Sequence, residues 1–193
     1  MAVEAVVFDV GETRVDETND WIRTAEAAGV TPFTLMAALG ATIAQGRPHG
    51  HAWQILGVDR PPDEVWGFDA WYPDARPCLA RLRAAGLTVG AAGNTPATVE
   101  QELRPLVDVV GSAAGFGLEK PDPAFFRRVA ELVGLPPERI AYVGDRVDND
   151  VEPALVAGMV AVHVRRGPWG YLQQAPPGAI RIDSLDELPA ALP

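Results

Sequence analysis

At 193 residues the chain is long enough for one well-buried core, or a core carrying a modest insertion, and too short for two full independent domains. A net charge of −10 excludes an ordinary nucleic-acid binder, since phosphate backbones need clustered cations; the arginine pairs Arg127-Arg128 and Arg165-Arg166 read as solvated faces. The single cysteine, Cys78, excludes an internal disulfide and a cysteine zinc site, and no stretch approaches the roughly 20 apolar residues that span a bilayer.

In chain order, the first element is a short apolar strand, Ala5 to Phe8, ending at Asp9. No single crossover helix follows it. Instead, residues 15–72 carry helical patterns at Thr18 to Ala28 and Pro32 to Gln45, then a turn-rich stretch with Gly46, Pro48, Gly50, Pro61 and Pro62. We read this segment as an all-helical cap inserted into a core made of residues 1–14 and 73–193. A helix over Asp74 to Ala85 then begins an alternation of apolar runs and helical patterns, with strands at Leu87 to Ala92, Val107 to Val110, Ile140 to Val143 and Val160 to Val164. Such alternation predicts a Rossmann-like α/β fold with a parallel sheet covered on both faces. Asp122 caps a helix running from Pro123 through Leu132, and Gly134-Leu135-Pro136 ends it. Cys78, among Leu79 and Leu82, reads as a small buried apolar group in a reducing compartment. The amino end lacks the basic start and cleavage site of a secretory signal, so a cytoplasmic protein is expected, monomeric or homodimeric, with no membrane or nucleic-acid partner.

In an open parallel sheet, residues just past the carboxyl ends of the strands face the ligand crevice, and four stretches stand there. Asp9 ends the first strand in Asp9-Val-Gly-Glu-Thr13. Gly93-Asn94-Thr95-Pro96 follows the second. Lys120, the only lysine beside fifteen arginines, precedes the Asp122 helix in Glu-Lys-Pro-Asp-Pro. Gly144-Asp145-Arg-Val-Asp-Asn-Asp150 follows the fourth strand and opens a helix through Ala157. Where composition favours guanidinium so strongly, a surviving lysine points to a task suited to a compact ammonium.

Together these stretches resemble the haloacid dehalogenase superfamily, most of whose members are magnesium-dependent phosphatases and phosphotransferases working through an aspartyl intermediate. The resemblance covers essentially the whole chain. It implies that Asp9 is the nucleophile, that Mg²⁺ is held by the Asp9 carboxylate, the Gly11 carbonyl and Asp145, with Asp150 orienting the metal or Lys120 from behind, and that Lys120 screens the charge of nucleophile and substrate. Gly93, Asn94 and Thr95 are the expected phosphate-binding residues, through backbone N–H groups and the helix that follows. Asn94 and Thr95 have the alternative role of capping that helix. Asp148 and Asn149 read as turn formers.

The chain departs from the family pattern at two motifs. Gly11 stands where members carry the acid that protonates the leaving group, a contribution of about 10²–10⁴ in rate, and Gly93 stands where they carry a hydroxyl. Three explanations of the first gap compete. The natural substrate has a good leaving group, as in acyl or aryl phosphates; or Glu12 swings in as a substitute; or hydrolysis is lost and the protein binds a ligand or partner. A metal-independent 2-haloacid dehalogenase is a further alternative, although it leaves Asp145 and Asp150 without a charge to balance. The expected function is therefore a magnesium-dependent phosphohydrolase acting on a small phosphorylated metabolite with a good leaving group, with slow turnover or a long-lived phosphoaspartate. In the cap, Arg47, His49, His51 and Trp53 form the one cluster that resembles a substrate-selecting surface. Arg14 is placed to bind an anionic substrate or to pair with Asp16 or Glu17.

Overall fold

The computed structural model describes residues 2–62 and 70–193. Six parallel strands form one sheet: β1 (Ala5–Phe8), β2 (Thr88–Gly93), β3 (Val109–Ser112), β4 (Ile140–Gly144), β5 (Val160–Val164) and β6 (Ile180–Ile182), in the order β3-β2-β1-β4-β5-β6. The chain steps outward from β1 through β2 to β3, then returns to pair β4 on the other side of β1, with Phe8 opposite both Ala91 and Val143. The crevice at the carboxyl ends of strands opens at that reversal, so Asp9 stands at the centre of the molecule.

Alternation along β1 divides the core in two. Val6 and Phe8 join a cluster with Cys78, Leu79 and Leu82 of α4 (Ala75–Ala84) and with Val99 and Leu103 of α5 (Ala97–Leu103). Ala5 and Val7 face the other side, against Phe125, Phe126 and Val129 of α7 (Pro123–Val133), which follows the short α6 (Ala113–Phe116). The local signals in α7 are as expected: Asp122 accepts from the Ala124 N–H at 2.7 Å, Pro123 occupies the first turn, and Gly134 closes the helix at φ +76°. Such a cap contributes about 1 kcal/mol.

Between β1 and α4, α1 (Thr18–Ala27) and α2 (Pro32–Ala44) form where the pattern predicts helices, and the stretch expected to be only turns also holds α3 (His51–Leu56). Trp21, Leu35, Leu39, Ile43 and Trp53 make a third apolar cluster that takes in Trp169, from α9 (Gly167–Leu172) after β5. β3 begins two residues later than expected. β6 escapes the pattern because it is three residues long with Arg181 exposed. The helix expected to open at Asp150 begins as a π-helical turn, Val147–Val151, before α8 (Glu152–Val156), and α10 (Leu188–Ala191) ends the fold.

Two readings of charged residues need correction. Arg166 is not on a solvated face: its guanidinium forks onto the Asp74 carboxylate at 2.5 and 3.1 Å and donates to the Thr13 carbonyl, while Asp74 also accepts from Ser184 and Leu185. Arg14 pairs with neither Asp16 nor Glu17. Its Nε donates to the Asp9 carbonyl at 2.9 Å, its guanidinium lies 5.5 Å from the Trp71 ring centroid, and burial lowers it to about 10.

Candidate active site at the carboxyl edge of the sheet

Four chain segments converge past the strand ends. Asp9 follows β1, its N–H donating to the Val143 carbonyl of β4 at 2.8 Å. Lys120, 3% exposed, donates from Nζ to Asp9 Oδ1 at 2.7 Å and to Asp150 Oδ1 at 2.5 Å, so the sole lysine bridges two of the acids named from sequence. Burial alone would lower this amine, but the charges of Asp150 and Asp9 outweigh it and hold the ammonium well above the ordinary lysine value. The Asn94 side chain is tied to the same loop and does not cap the helix: its Nδ2 donates to the Lys120 carbonyl at 2.9 Å and its Oδ1 accepts the Lys120 N–H at 2.7 Å. The capping position of α5 is Pro96, with no side-chain hydrogen bond.

Oxygens of Asp9, Asp145 and Asp150 lie within 4.8 Å of one another, all three residues buried. Asp150 is fully engaged, by Lys120 through Oδ1 and by the Arg146 N–H through Oδ2 at 3.1 Å. Asp145 Oδ2, by contrast, is buried without a hydrogen-bond partner. Burial first, then the charges of Asp150 and Asp9, push Asp145 well above the usual carboxylate range; burial also pushes Asp150 up to about 6 against the pull of Lys120. Three carboxyls facing one ammonium, with one oxygen unsatisfied, fit a hard divalent cation that takes oxygen ligands. Behind Asp145, His163 of β5 donates from Nε2 to its carbonyl at 3.0 Å.

Position 11 holds the main surprise. A Cβ built on Gly11 would lie 1.9 Å from Glu17 Oε1 and 2.6 Å from its Cδ, so the Glu17 carboxyl already fills the space where a side chain at residue 11 would project. Burial, then the charges of Glu12 and Asp9, hold the Glu17 carboxyl well above its ordinary value. Glu12 does not swing toward Asp9. It sits in the left-handed region at φ +48°, accepts the Glu17 N–H through Oε1 at 2.9 Å and accepts the Tyr72 hydroxyl through Oε2 at 2.7 Å. At Gly93 a Cβ would come 2.6 Å from Asp9 Oδ1, so a hydroxyl-bearing side chain there requires the carboxylate, as it lies against Lys120, to shift.

A cavity of about 750 Å³ opens over these groups, with Asp9, Gly11, Glu17, Lys120 and Asp145 on its floor. Of the cap cluster, His49 and Trp53 line it. His51 instead contacts Gln54 at 2.7 Å through Nδ1, and Arg47 is exposed. Thr95 lines the cavity beside Asn94. Sequence reasoning missed Glu17, Arg146 and Trp169. The Arg146 guanidinium, held by Asp148, lies 4.8 Å from the Trp169 ring centroid at the cavity wall. Asp148 and Asn149 belong to the π-helical turn and not to a plain loop. Only Arg146 carried a visible signal, its place inside the acidic motif. Trp169 joins the cavity wall only through tertiary packing, and Glu17 through the turn at Glu12.

A model of haloacid dehalogenase-like hydrolases matches residues 3–158. A glyceraldehyde 3-phosphate phosphatase from Methanopyrus kandleri is 38% identical over 104 residues, which are 51% of this chain and 45% of the relative. The chain spans about half the length of the first curated relatives it matches. Among solved structures, a HAD phosphatase from Thermococcus onnurineus superposes with a TM-score of 0.69 at 23% identity, covering 97% of each chain. A dehalogenase superposes at 0.71 and 22% identity, covering 98% of this chain and 97% of the other; at that identity both likenesses speak for the fold. The family match over most of the chain agrees with the strand order and the four strand-end motifs, and the chain belongs to the haloacid dehalogenase-like hydrolases.

Proposed function

We propose that the protein is a magnesium-dependent phosphohydrolase that works through an aspartyl-phosphate on Asp9, acting on a small phosphorylated metabolite. The observation that carries this reading is the Lys120 bridge between Asp9 and Asp150 beside the unpartnered oxygen of Asp145. Asp9 attacks phosphorus through one carboxylate oxygen and the ester oxygen leaves; water then cleaves the acyl phosphate and returns the carboxylate. Lys120 pairs with Asp9 and offsets the charge of an incoming phosphoryl group, and Asn94 fixes the lysine's backbone so that the ammonium reaches both acids. Asp9, Asp145 and the Gly11 carbonyl are the ligands we assign to Mg²⁺, with Asp150 orienting from behind. The ion, when bound, polarises the phosphoryl group and neutralises its charge. In this reading Gly93, Asn94 and Thr95 form the phosphate loop and the Asn94 backbone N–H meets the phosphoryl oxygens, the Thr95 N–H being taken by the Gly93 carbonyl at 2.9 Å and the Asn94 side chain serving Lys120.

Residues 15–72 act in this reading as the cap, with His49 and Trp53 facing substrate. A glycine at position 11, taken by itself, confines the loop to good leaving groups such as acyl or aryl phosphates. The similarity to a glyceraldehyde 3-phosphate phosphatase supports a phosphate monoester. The orphaned Asp145 oxygen favours a metal enzyme over a metal-independent dehalogenase. We place the protein in the cytoplasm, with Cys78 buried and unpaired; no single helix among the described residues is long and apolar enough to cross a membrane.

The test is release of p-nitrophenol from p-nitrophenyl phosphate, with magnesium and with chelator, against Asp9→Asn. Activity needing both metal and Asp9 is expected, as is an adduct of Asp9 with beryllium fluoride. Halide release from a 2-haloacid without metal, and no phosphatase activity, would overturn the reading.

A further inference from the structure

We infer that the Glu17 carboxyl serves as the acid and base that residue 11 does not supply, reaching the reacting centre from the start of α1. The inference rests on the phosphohydrolase reading. Its basis is steric: the three heavy atoms nearest to a Cβ at Gly11 all belong to the Glu17 carboxyl, at 1.9, 2.6 and 3.2 Å. The two positions are therefore alternatives for one volume, and this chain fills it from residue 17. Glu17 lines the same cavity as Asp9, Lys120 and Asp145, so its carboxyl opens on the space a substrate would enter.

Glu12 accounts for how the carboxyl is held. Glu12 is the one non-glycine residue in the left-handed region among the described residues, and its buried carboxyl receives the Glu17 N–H on one oxygen and the Tyr72 hydroxyl on the other. A residue kept in a costly backbone conformation and satisfied on both oxygens is a positioning residue for its neighbour. In the first step an Asp9 oxygen bonds to phosphorus, the bond from phosphorus to the ester oxygen breaks, and the Glu17 proton passes to the departing alkoxide. In the second, Glu17 carboxylate takes a proton from water as that water attacks the aspartyl-phosphate, which releases inorganic phosphate and the Asp9 carboxylate and restores the Glu17 acid. The restriction to good leaving groups is thereby lifted, and ordinary alkyl phosphate monoesters become substrates.

Two substrates and four variants test this. p-Nitrophenolate departs without a proton, whereas the alkoxide of glycerol phosphate needs one. Glu17→Gln is expected to lose about 10²–10⁴-fold in kcat/KM on glycerol phosphate. On p-nitrophenyl phosphate it should keep the first-turnover burst within about tenfold and then stall as a phosphoaspartate, because the second step lacks its base. Gly11→Asp alone should lose activity, since its side chain meets Glu17. Gly11→Asp with Glu17→Ala should regain at least tenfold on glycerol phosphate over Glu17→Ala, a gain that also answers any objection that Glu17→Gln misfolds. Equal losses of Glu17→Gln on the burst and on glycerol phosphate, or no loss on either, would overturn the assignment. An active wild type that ignores Glu17 removes this inference alone. A wild type silent on both substrates, and giving no adduct at Asp9, removes the phosphohydrolase reading beneath it as well.

Discussion

Replacing Lys120 with methionine tests whether the buried ammonium holds the site together. The lysine is 3% exposed, with Nζ 2.7 Å from Asp9 Oδ1 and 2.5 Å from Asp150 Oδ1. Methionine keeps much of the volume and removes the charge. Two buried carboxylates then face each other, and Asp145, without the countercharge. Removing one partner of a buried pair costs about 3–5 kcal/mol, because the charge left behind stays desolvated. For a chain of this size 1 kcal/mol moves the midpoint by about 2–4 °C, so Lys120→Met should melt roughly 6–20 °C below wild type in chelator. Two further results discriminate. Magnesium at about 100 times its Kd should return up to about 2.7 kcal/mol, since the ion supplies positive charge to the same oxygens. The double variant Lys120→Met with Asp150→Asn should recover part of the loss even in chelator, because it removes one of the two charges left bare and relieves its repulsion with Asp9. Thermal unfolding followed by circular dichroism reads all three proteins. A Lys120→Met midpoint within 2 °C of wild type, or a double variant as unstable as the single, would refute the electrostatic account.

Asn94→Ala removes both ties to the Lys120 backbone and should cost about 1–3 kcal/mol, with kcat on p-nitrophenyl phosphate falling more than KM changes, which steady-state kinetics separates. Gly93→Ser restores the hydroxyl of the family pattern yet brings a Cβ to 2.6 Å from Asp9 Oδ1, so activity should fall; a gain would show that Asp9 has room to turn. Asp150 sits at about 6 in the fold against 3.8 outside it. A raised carboxyl contributes stability that is full below about pH 4 and lost as pH rises through about 6, so metal-free wild type should lose stability over that window relative to Asp150→Asn, and saturating magnesium should narrow the difference. Arg166→Lys loses the planar fork onto Asp74 and should lower the midpoint by several degrees, read by the same unfolding assay.

The sheet core was legible in the sequence because buried parallel strands are short runs of apolar residues and their helices carry local stop signals, as in the Asp122, Pro123 and Gly134 set. β6 was not, since three residues with an exposed Arg181 give no period. Asp9, Lys120, Asp145 and Asp150 were legible as strand-end motifs, and the structure brings all four together. The tie of Asn94 to Lys120, in place of the helix cap its position offered, was not legible, because its two bonds reach 26 residues along the chain. Trp169 was hidden for a related reason, entering the site from a segment remote in sequence, whereas Glu17 is close in sequence and reaches Gly11 through the turn at Glu12, whose left-handed backbone no periodicity records. Arg14 and Arg166 show the converse, charged residues whose burial depends on partners elsewhere in the chain.

Because Lys120 is the only lysine, the folded protein offers amine-directed reagents almost nothing besides a chain terminus. Its one ε-amine is enclosed and held protonated by two carboxylates, so it is a poor nucleophile toward acylating agents and cross-linkers for as long as the sheet edge stays closed. Acylation at residue 120 therefore marks opening of the site or of the whole domain, giving a single-position label, readable by mass, for how often the centre is exposed.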